Sequence, residues 1–434
     1  MRPTQSLLQL LGLLTVVALL GTFWPELERL WIGASSLLFL VALWDALTLP
    51  RSRDFEASRE MPGRFALGIR SVVRLAVKHR LRRDLSILLH DGLPLDAESE
   101  GLPWSGPLPA GEVLDLAYDL HFTKRGLHRF ESMHILVHSR LGLWRRLCRV
   151  GLPTETHVYP NYEPVLRFAL LATANREEQM GIVKRRRNGA TLDFHQLREY
   201  QDGDVLARVD WKATSRRQSL ISRDYEEQKN QSILLVPDCG RRMRAMDGEL
   251  SQFDHCLNAM LLISYIALRQ SDEVGVVGFG GVQRWLKPVK GPSSMPKILN
   301  HLYDYETTTQ PSDFGEAAER VMACQKRRSL VILLTNLRTE DSADLIKAVR
   351  VMQKRHVVLV ATLKEAEMEV RTSHPISSLN DALTYGALSN YLQQRQQVLE
   401  QLRAHRIFTV DETAQNLAVA LANQYLDVKA GGLL

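Results

Sequence analysis

Cysteine is scarce in this chain, 4 of 434 residues, and Cys148, Cys239, Cys256 and Cys324 lie far apart. That spacing excludes a disulfide scaffold, and without a C-x-x-C it offers no zinc clasp. A reducing compartment is the simplest reading. The 13 histidines are scattered and give no helical i, i+4 pair to clasp a metal. No G-x-x-x-x-G-K-[ST], H-E-x-x-H or G-x-S-x-G is present, so no standard catalytic signature points to an enzyme. Gly275, Gly278 and Gly280 match a dinucleotide loop only superficially, and Gly281 reads as turn chemistry. Neither sign of charge dominates. The 55 basic and 49 acidic residues leave +6 and a pI near 9.1, which permits an acidic partner or an anionic membrane surface but demands neither. With 45% hydrophobic and 24% charged residues, disordered, collagen-like and polytopic membrane chains are excluded. The length predicts two or three domains.

Two apolar stretches stand at the start: Ser6 to Phe23 and Leu30 to Leu49. Each is long enough to cross a hydrocarbon core of about 30 Å. The polar break at Pro25-Glu26-Leu27-Glu28-Arg29 allows only a tight turn, so a transmembrane helical hairpin is expected over 1–52. The competing reading of the first stretch is a cleaved signal peptide. Arg2, Arg51 and Arg53 flank the outer ends, which places both termini and all that follows in the cytoplasm. Trp24, Trp31 and Trp44 sit near the expected boundaries. Asp45 lies inside the second span. It is either a functional group or, one turn from the edge, a side chain that snorkels to water.

After the hairpin, the fold expected is α/β overall. Short alternating strands at Ile69–Val77, Leu85–Leu89, Val113–Phe122, His134–His138 and Thr156–Tyr159 predict a β-sandwich over 53–163. Leu166 to Met180 reads as a helix, opening a linker over 164–230. The basic run Lys184-Arg185-Arg186-Arg187 in it is a solvated connector or a contact with anionic lipid. From 231 to 434, uniformly apolar strands at Ile233–Val236, Val274–Phe279, Leu330–Leu334 and Val357–Val360 alternate with helical patterns. That arrangement predicts a doubly wound, mostly parallel sheet covered on both faces. Ligands of such sheets bind beyond the carboxyl ends of the strands, which puts Asp238, Thr335 and Asn336 near one rim.

The densest polar stretch runs from Asp193 to Arg223. Arg198, Glu199, Tyr200, Asp204, Asp210, Trp211, Lys212 and Arg216 alternate in sign there. A salt-bridged brace between this loop and the sheet fits better than a nucleic-acid patch, because the acids would repel phosphate. The run L-R-E-Y-Q-D-G-D-V-x-x-x-V-D-W-K-A-T-S-R-R at Leu197–Arg217 resembles the signature of the domain-of-unknown-function fifty-eight family. The segments Thr123–His128, Leu141–Arg146 and Val158–Pro160 resemble that family too, as does the order of membrane pair, β-sandwich, signature and α/β domain.

This resemblance implies a bacterial inner-membrane protein found beside a MoxR-type AAA+ ATPase, with a last domain similar to von Willebrand factor A domains. Intact domains of that kind hold a divalent ion on D-x-S-x-S, a Thr and an Asp. Here the first loop is Asp238-Cys239-Gly240-Arg241-Arg242, the second offers Ser312, and the third offers Asn336. Gly240 and Arg242 stand where hydroxyls are needed, so no metal and no cofactor is expected. Asp238, Arg242, Ser312 and Asn336 form the expected partner-binding rim, with Arg241 or Arg242 supplying charge beside Asp238. The alternative is that Asp238 only caps its loop. The function expected is a non-enzymatic scaffold or adaptor for the ATPase and client complexes, without nucleic acid. The rival is a metal-assisted hydrolase using Asp238, which lacks the clustered acids such chemistry needs.

Overall fold

The computed structural model describes residues 1–173, 192–201, 209–227, 231–365, 368, 371–372 and 375–433. It divides into two compact units, Met1–Tyr159 and Pro160–Leu434.

The first unit begins with β1 (Arg2–Pro3), α1 (Gln5–Gly21) and α2 (Pro25–Leu47). Trp24 is extended, as the residue before a proline must be, and Pro25 opens α2 at a position that needs no N–H donor. That break ends α1 at 17 residues, short of the expected span at Ser6–Phe23. Among the described residues one helix stretch, Leu27–Leu47 with 21 residues, is long and apolar enough to cross a membrane. Its outward side chains include Leu37, Phe39 and Leu40, each more than 60% exposed.

The strands that follow are β2 (Phe55–Glu60), β3 (Arg64–Ala66), β4 (Ser71–His79), β5 (Leu85–His90), β6 (Ala97–Glu100) and β7 (Trp104–Leu108). Then come β8 (Val113–Phe122), β9 (Gly126–Phe130), β10 (Met133–His138), β11 (Trp144–Val150) and β12 (Thr154–Tyr159). They form sheets in the orders β1-β11-β10-β5-β7, β2-β4-β8-β6 and β3-β12-β9. Period-2 alternation decides which side chains go inside. Val73, Leu75 and Val77 of β4, and Ile87 and Leu89 of β5, are buried, while the residues between them are mostly exposed. Phe122 meets Phe65 at 5.0 Å and Phe130 at 6.4 Å, edge to face. Asp91, after β5, has no exposure and accepts from Arg59 Nε of β2 at 2.8 Å and Tyr118 Oη of β8 at 2.8 Å. Two sheets are thereby tied through one satisfied charge, and burial of Tyr118, followed by the nearby Asp91 charge, pushes its phenol well up.

Asp45 does not snorkel. It is fully buried against the turn between β10 and β11. Its carboxylate accepts from Ser139 Oγ at 2.5 Å, Leu141 N at 2.8 Å and Leu143 N at 3.2 Å. The same turn accepts from the start of α1: Thr4 Oγ1 donates to Gly142 O at 2.6 Å and Thr4 N to Leu143 O at 3.0 Å. Trp144 Nε1 reaches Ala42 O at 2.9 Å. A carboxylate in apolar surroundings needs donors, and this turn supplies them more closely than the water beyond the helix end.

The second unit holds α3 (Glu163–Thr173), then β13 (Leu192–Glu199), α4 (Trp211–Arg217) and β14 (Ile221–Glu227), with β13 and β14 paired antiparallel. Its main sheet takes β15 (Ser232–Pro237), β18 (Glu273–Val277), β19 (Trp285–Lys290), β20 (Leu330–Thr335), β21 (Val357–Lys364) and β22 (Phe408–Thr413). The order is β19-β18-β15-β20-β21-β22, parallel except for β19. A small hairpin of β16 (Met246–Asp247) and β17 (Leu250–Ser251) leads into α5 (Gln252–Arg269). The other helices are α6 (Met295–Leu302), α7 (Phe314–Cys324), α8 (Ser342–Gln353), α9 (Leu379–Ala404) and α10 (Leu417–Ala430).

Because β15 and β20 are buried along their whole length, both faces must be covered. Ile233, Leu235 and Ile332 pack with α5, α6 and α10 on one face. Leu234, Val236 and Val331 pack with α7, α8 and α9 on the other. This mixed, mostly parallel sheet is the α/β layout that the alternating pattern predicts. Ser251 opens α5 with a capping box to Asp254, and Asp313 caps α7 through Glu316 N at 3.1 Å, each worth about 1 kcal/mol.

Candidate functional site

β15 and β20 are adjacent and parallel, and the chain leaves them toward opposite sides of the sheet. The crevice beyond their carboxyl ends is the place where such sheets bind ligands. Asp238 follows β15 and Thr335 ends β20. Three loops close on this crevice through the main chain: Cys239 N donates to Phe279 O at 2.9 Å, Thr308 N to Cys239 O at 2.7 Å, and Arg241 N to Gln310 O at 2.9 Å.

The Asp238 carboxylate has no exposure. Oδ1 accepts from Ser312 Oγ at 2.6 Å and Gly240 N at 2.8 Å, and Oδ2 accepts from Thr335 Oγ1 at 2.6 Å. Arg242 Nε stands 3.7 Å from Oδ2. The guanidinium continues outward. It donates to Asn336 O at 3.4 Å, pairs with Asp341, and lies 5.3 Å over the Phe314 ring. Burial pushes the Asp238 carboxyl above its ordinary value. The hydrogen bonds from Ser312, Thr335 and Gly240 and the Arg242 charge offset part of that rise.

A divalent ion does not fit these residues. A Cβ at Gly240 would come 2.3 Å from Ser312 Oγ and 3.1 Å from Asp238 Oδ1 and Ser312 N, so a hydroxyl side chain there would have to turn Ser312 away from the carboxylate it now holds. Gly280, at φ +80°, presses from the other side, its own Cβ position 2.6 Å from Gly240 N. A cation already faces the open oxygen. Mg²⁺ asks for near-octahedral oxygen ligands, and one carboxylate with two donating hydroxyls does not supply them. Among the described residues no three His, Cys, Asp or Glu side chains converge as a metal site.

Asp238, Arg242 and Ser312 thus come together as the sequence predicts, and Thr335 joins them as a direct partner of the carboxylate. Asn336 does not face that carboxylate. Its Nδ2 donates to Gln252 Oε1 at 2.6 Å and lies 3.4 Å from Glu365 Oε1, and only its backbone oxygen meets Arg242. The expected rim is also deeper than it reads. Asp238 and Asn336 are sealed, Ser312 is 9% exposed and the Arg242 side chain 12%, so the outward chemistry belongs mainly to the exposed Arg241 and the half-buried Asp341, with Arg242 showing only a narrow edge between them. Gln252 and Glu365 were missed because nothing in their neighbourhoods marks them. Thr335 carried a signal, a hydroxyl at the end of a buried strand.

The signature forms its own motif. Asp210 caps α4, accepting from Lys212 N and Ala213 N at 3.0 Å each, and Thr214 Oγ1 accepts from Ile221 N at 3.0 Å. Arg198 and Glu199 lie on β13, and Tyr200 N donates to Leu220 O at 2.8 Å. Trp211 is 66% exposed, and Lys212 and Arg216 are exposed as well, so these three do not brace the sheet as expected. A two-stranded hairpin closed by a capped helix satisfies the local polar groups without them. Asp204 and the basic run Lys184–Arg187 lie outside the described residues.

Residues 196–398, which take in the whole signature and most of the main sheet, match the family described as "Protein of unknown function DUF58". The uncharacterized protein YeaD of Bacillus subtilis (strain 168) is 24% identical over 345 residues, covering 74% of this chain and 79% of its own. Native α2-macroglobulin from Escherichia coli aligns over 24% of this chain and 16% of its own at 16% identity, with a TM-score of 0.22. A FixG-related protein from Vibrio parahaemolyticus aligns over 24% of this chain and 96% of its own at 11% identity, with a TM-score of 0.18. The chain is therefore similar, through its signature and α/β unit, to the DUF58 family, and over 345 residues to a distant uncharacterized relative.

Proposed function

We propose that this protein is a membrane-anchored, non-catalytic interaction module. Its α/β unit, similar to von Willebrand factor A domains, meets a protein partner at the Asp238 pole through a fixed guanidinium instead of a metal ion. The observation that carries this is Arg242: it occupies the side of Asp238 that a divalent ion would need, and is itself held by Asp341 and Phe314. A guanidinium fixed on two sides keeps donors for a partner's carboxylate at little entropic cost. The α1–α2 pair anchors the chain in the bacterial inner membrane, with the soluble parts in the cytoplasm by the bias of Arg2, Arg51 and Arg53. The resemblance through the signature makes a MoxR-type AAA+ ATPase the partner to test.

The test has two arms. Calorimetric titration of the detergent-purified chain with Mg²⁺ and with Mn²⁺ is expected to give no stoichiometric binding. Micromolar binding abolished by Asp238→Ala would overturn the metal-free reading. Co-purification with the ATPase, with ATP and without, is expected to fall at least tenfold in Arg242→Glu. Undiminished capture by that variant would show that this pole is not the contact.

A further inference from the structure

Three stretches meet where α1 begins and α2 ends: residues 1–5, 48–53 and 139–146. Together they hold six arginines, Arg2, Arg51, Arg53, Arg140, Arg145 and Arg146, and no aspartate or glutamate. Their meeting is fixed by bonds. Arg2 and Pro3 pair with Arg145 and Trp144 in the sheet. Leu141 N and Leu143 N bind Asp45. Arg146 Nη1 donates to Pro50 O at 3.0 Å and Leu49 O at 3.3 Å, so that side chain is used in closing the end of α2. The other five arginines are exposed, and among the described residues none has a carboxylate partner. Elsewhere in this unit the surface alternates in sign and pairs, as in Arg70 with Glu100 and Arg80 with Glu56.

Asp54, the residue next after Arg53, spends its carboxylate on Arg51 N at 2.7 Å, and one acid leaves a clear excess of positive charge, which is unfavourable unless something anionic lies against it. Two neighbours say what. Trp144 donates to Ala42 O, so its indole lies beside the last turns of α2, where interfacial aromatics sit. Leu141, at the tip of the turn, is 52% exposed at the level of Asp45, inside the apolar stretch.

We propose that this arginine collar is a docking surface for the anionic phospholipid headgroups of the membrane that α2 enters, with Leu141 set at the acyl boundary. The proposal rests on the membrane reading given above. The turn bonds to both helices fix the β-unit as one piece with its anchor, so the collar meets the headgroups in one orientation. Binding there seats the unit flat on the surface. Without such contact the same arginines repel one another in water.

The test uses the full chain in nanodiscs of phosphatidylcholine alone and of phosphatidylcholine with about one-third phosphatidylglycerol. The unfolding midpoint of the β-unit is expected to rise by about 4 °C or more with the anionic lipid. About 0.5 M NaCl should erase that gain. So should Arg140→Gln with Arg145→Gln, whose midpoint in pure phosphatidylcholine should be no lower than that of the unsubstituted chain, because two mutually repelling charges are gone. Equal midpoints in the two lipids, or a gain that survives the double substitution, overturn the collar. Carbonate extraction of native membranes runs alongside. Protein that stays in the pellet supports the membrane reading, so blindness to lipid charge then overturns the collar alone. Release into the supernatant overturns the membrane reading, and the collar with it.

Discussion

Two aspartates of this chain share a bonding pattern and differ in use. Asp45, in the first unit, and Asp238, in the second, are both fully buried, and each accepts from hydroxyl and backbone donors. Asp45 takes all its described donors from one turn and has no cationic partner among the described residues. Asp238 takes its donors from separate loops and has Arg242 beside it. Burial forces the first property on both: a carboxylate away from water must be satisfied by the chain. What surrounds the donors decides the second. Around Asp45 they lock two helices to a sheet. Around Asp238 they back a guanidinium that is mostly buried but reaches the half-buried Asp341 near the surface. A buried acid is therefore read by where its bonded shell ends, in a joint or at a surface.

The sharpest way to break this comparison is Asp45→Ala. It leaves Leu141 N, Leu143 N and Ser139 Oγ without their acceptor, and the β-unit should lose about 3 kcal/mol, a fall of roughly 6–12 °C in its midpoint in detergent. An unchanged midpoint would mean that Asp45 is no joint. The next effect is steric. Gly240→Ser pushes a Cβ into Ser312 Oγ and should cost the α/β unit about 1–3 kcal/mol, seen as faster amide exchange in β15 and β20. Full protection in that variant would show that the loop can open to accept hydroxyls, and would reopen the question of a metal.

The smallest effect concerns pH. Burial raises the Asp238 pKa in the folded state, so the protonated form is favoured there. This group's contribution to stability is fully present below the ordinary carboxylate range and is lost as pH rises through the raised value. Asp238→Asn should flatten that slope in urea unfolding followed across pH. The same slope in variant and parent would mean that the hydrogen bonds from Ser312, Thr335 and Gly240 fully offset the effect of burial.

Much of the second unit was legible because its strands are uniformly apolar and its helices periodic. Leu330–Leu334 is observed as Leu330–Thr335, and Ile233–Val236 as Ser232–Pro237. The first unit was harder. Val113–Phe122 was found, but β6 and β7 were not, since Ala97–Glu100 and Trp104–Leu108 bury little and carry polar or turn-forming residues. At the site, Asp238 and Thr335 could be anticipated from their places at strand ends, whereas Ser312 and Arg242 entered only through the loops that the family resemblance implies. The turning away of Asn336 could not, because it depends on Gln252, 84 residues distant in sequence. Asp45 was misjudged for a similar reason. Its partners lie 94–98 residues downstream, in a turn whose own sequence gives no hint that it will fold back on a helix.

The single bend that grips the start of α1 and the end of α2 also has a mechanical meaning. Tension on the β-strands is shared by Thr4 and Asp45 at the same moment, like a load hung from two stitches side by side. Such a seam yields only when both stitches tear together, so it holds a pull better than either stitch alone.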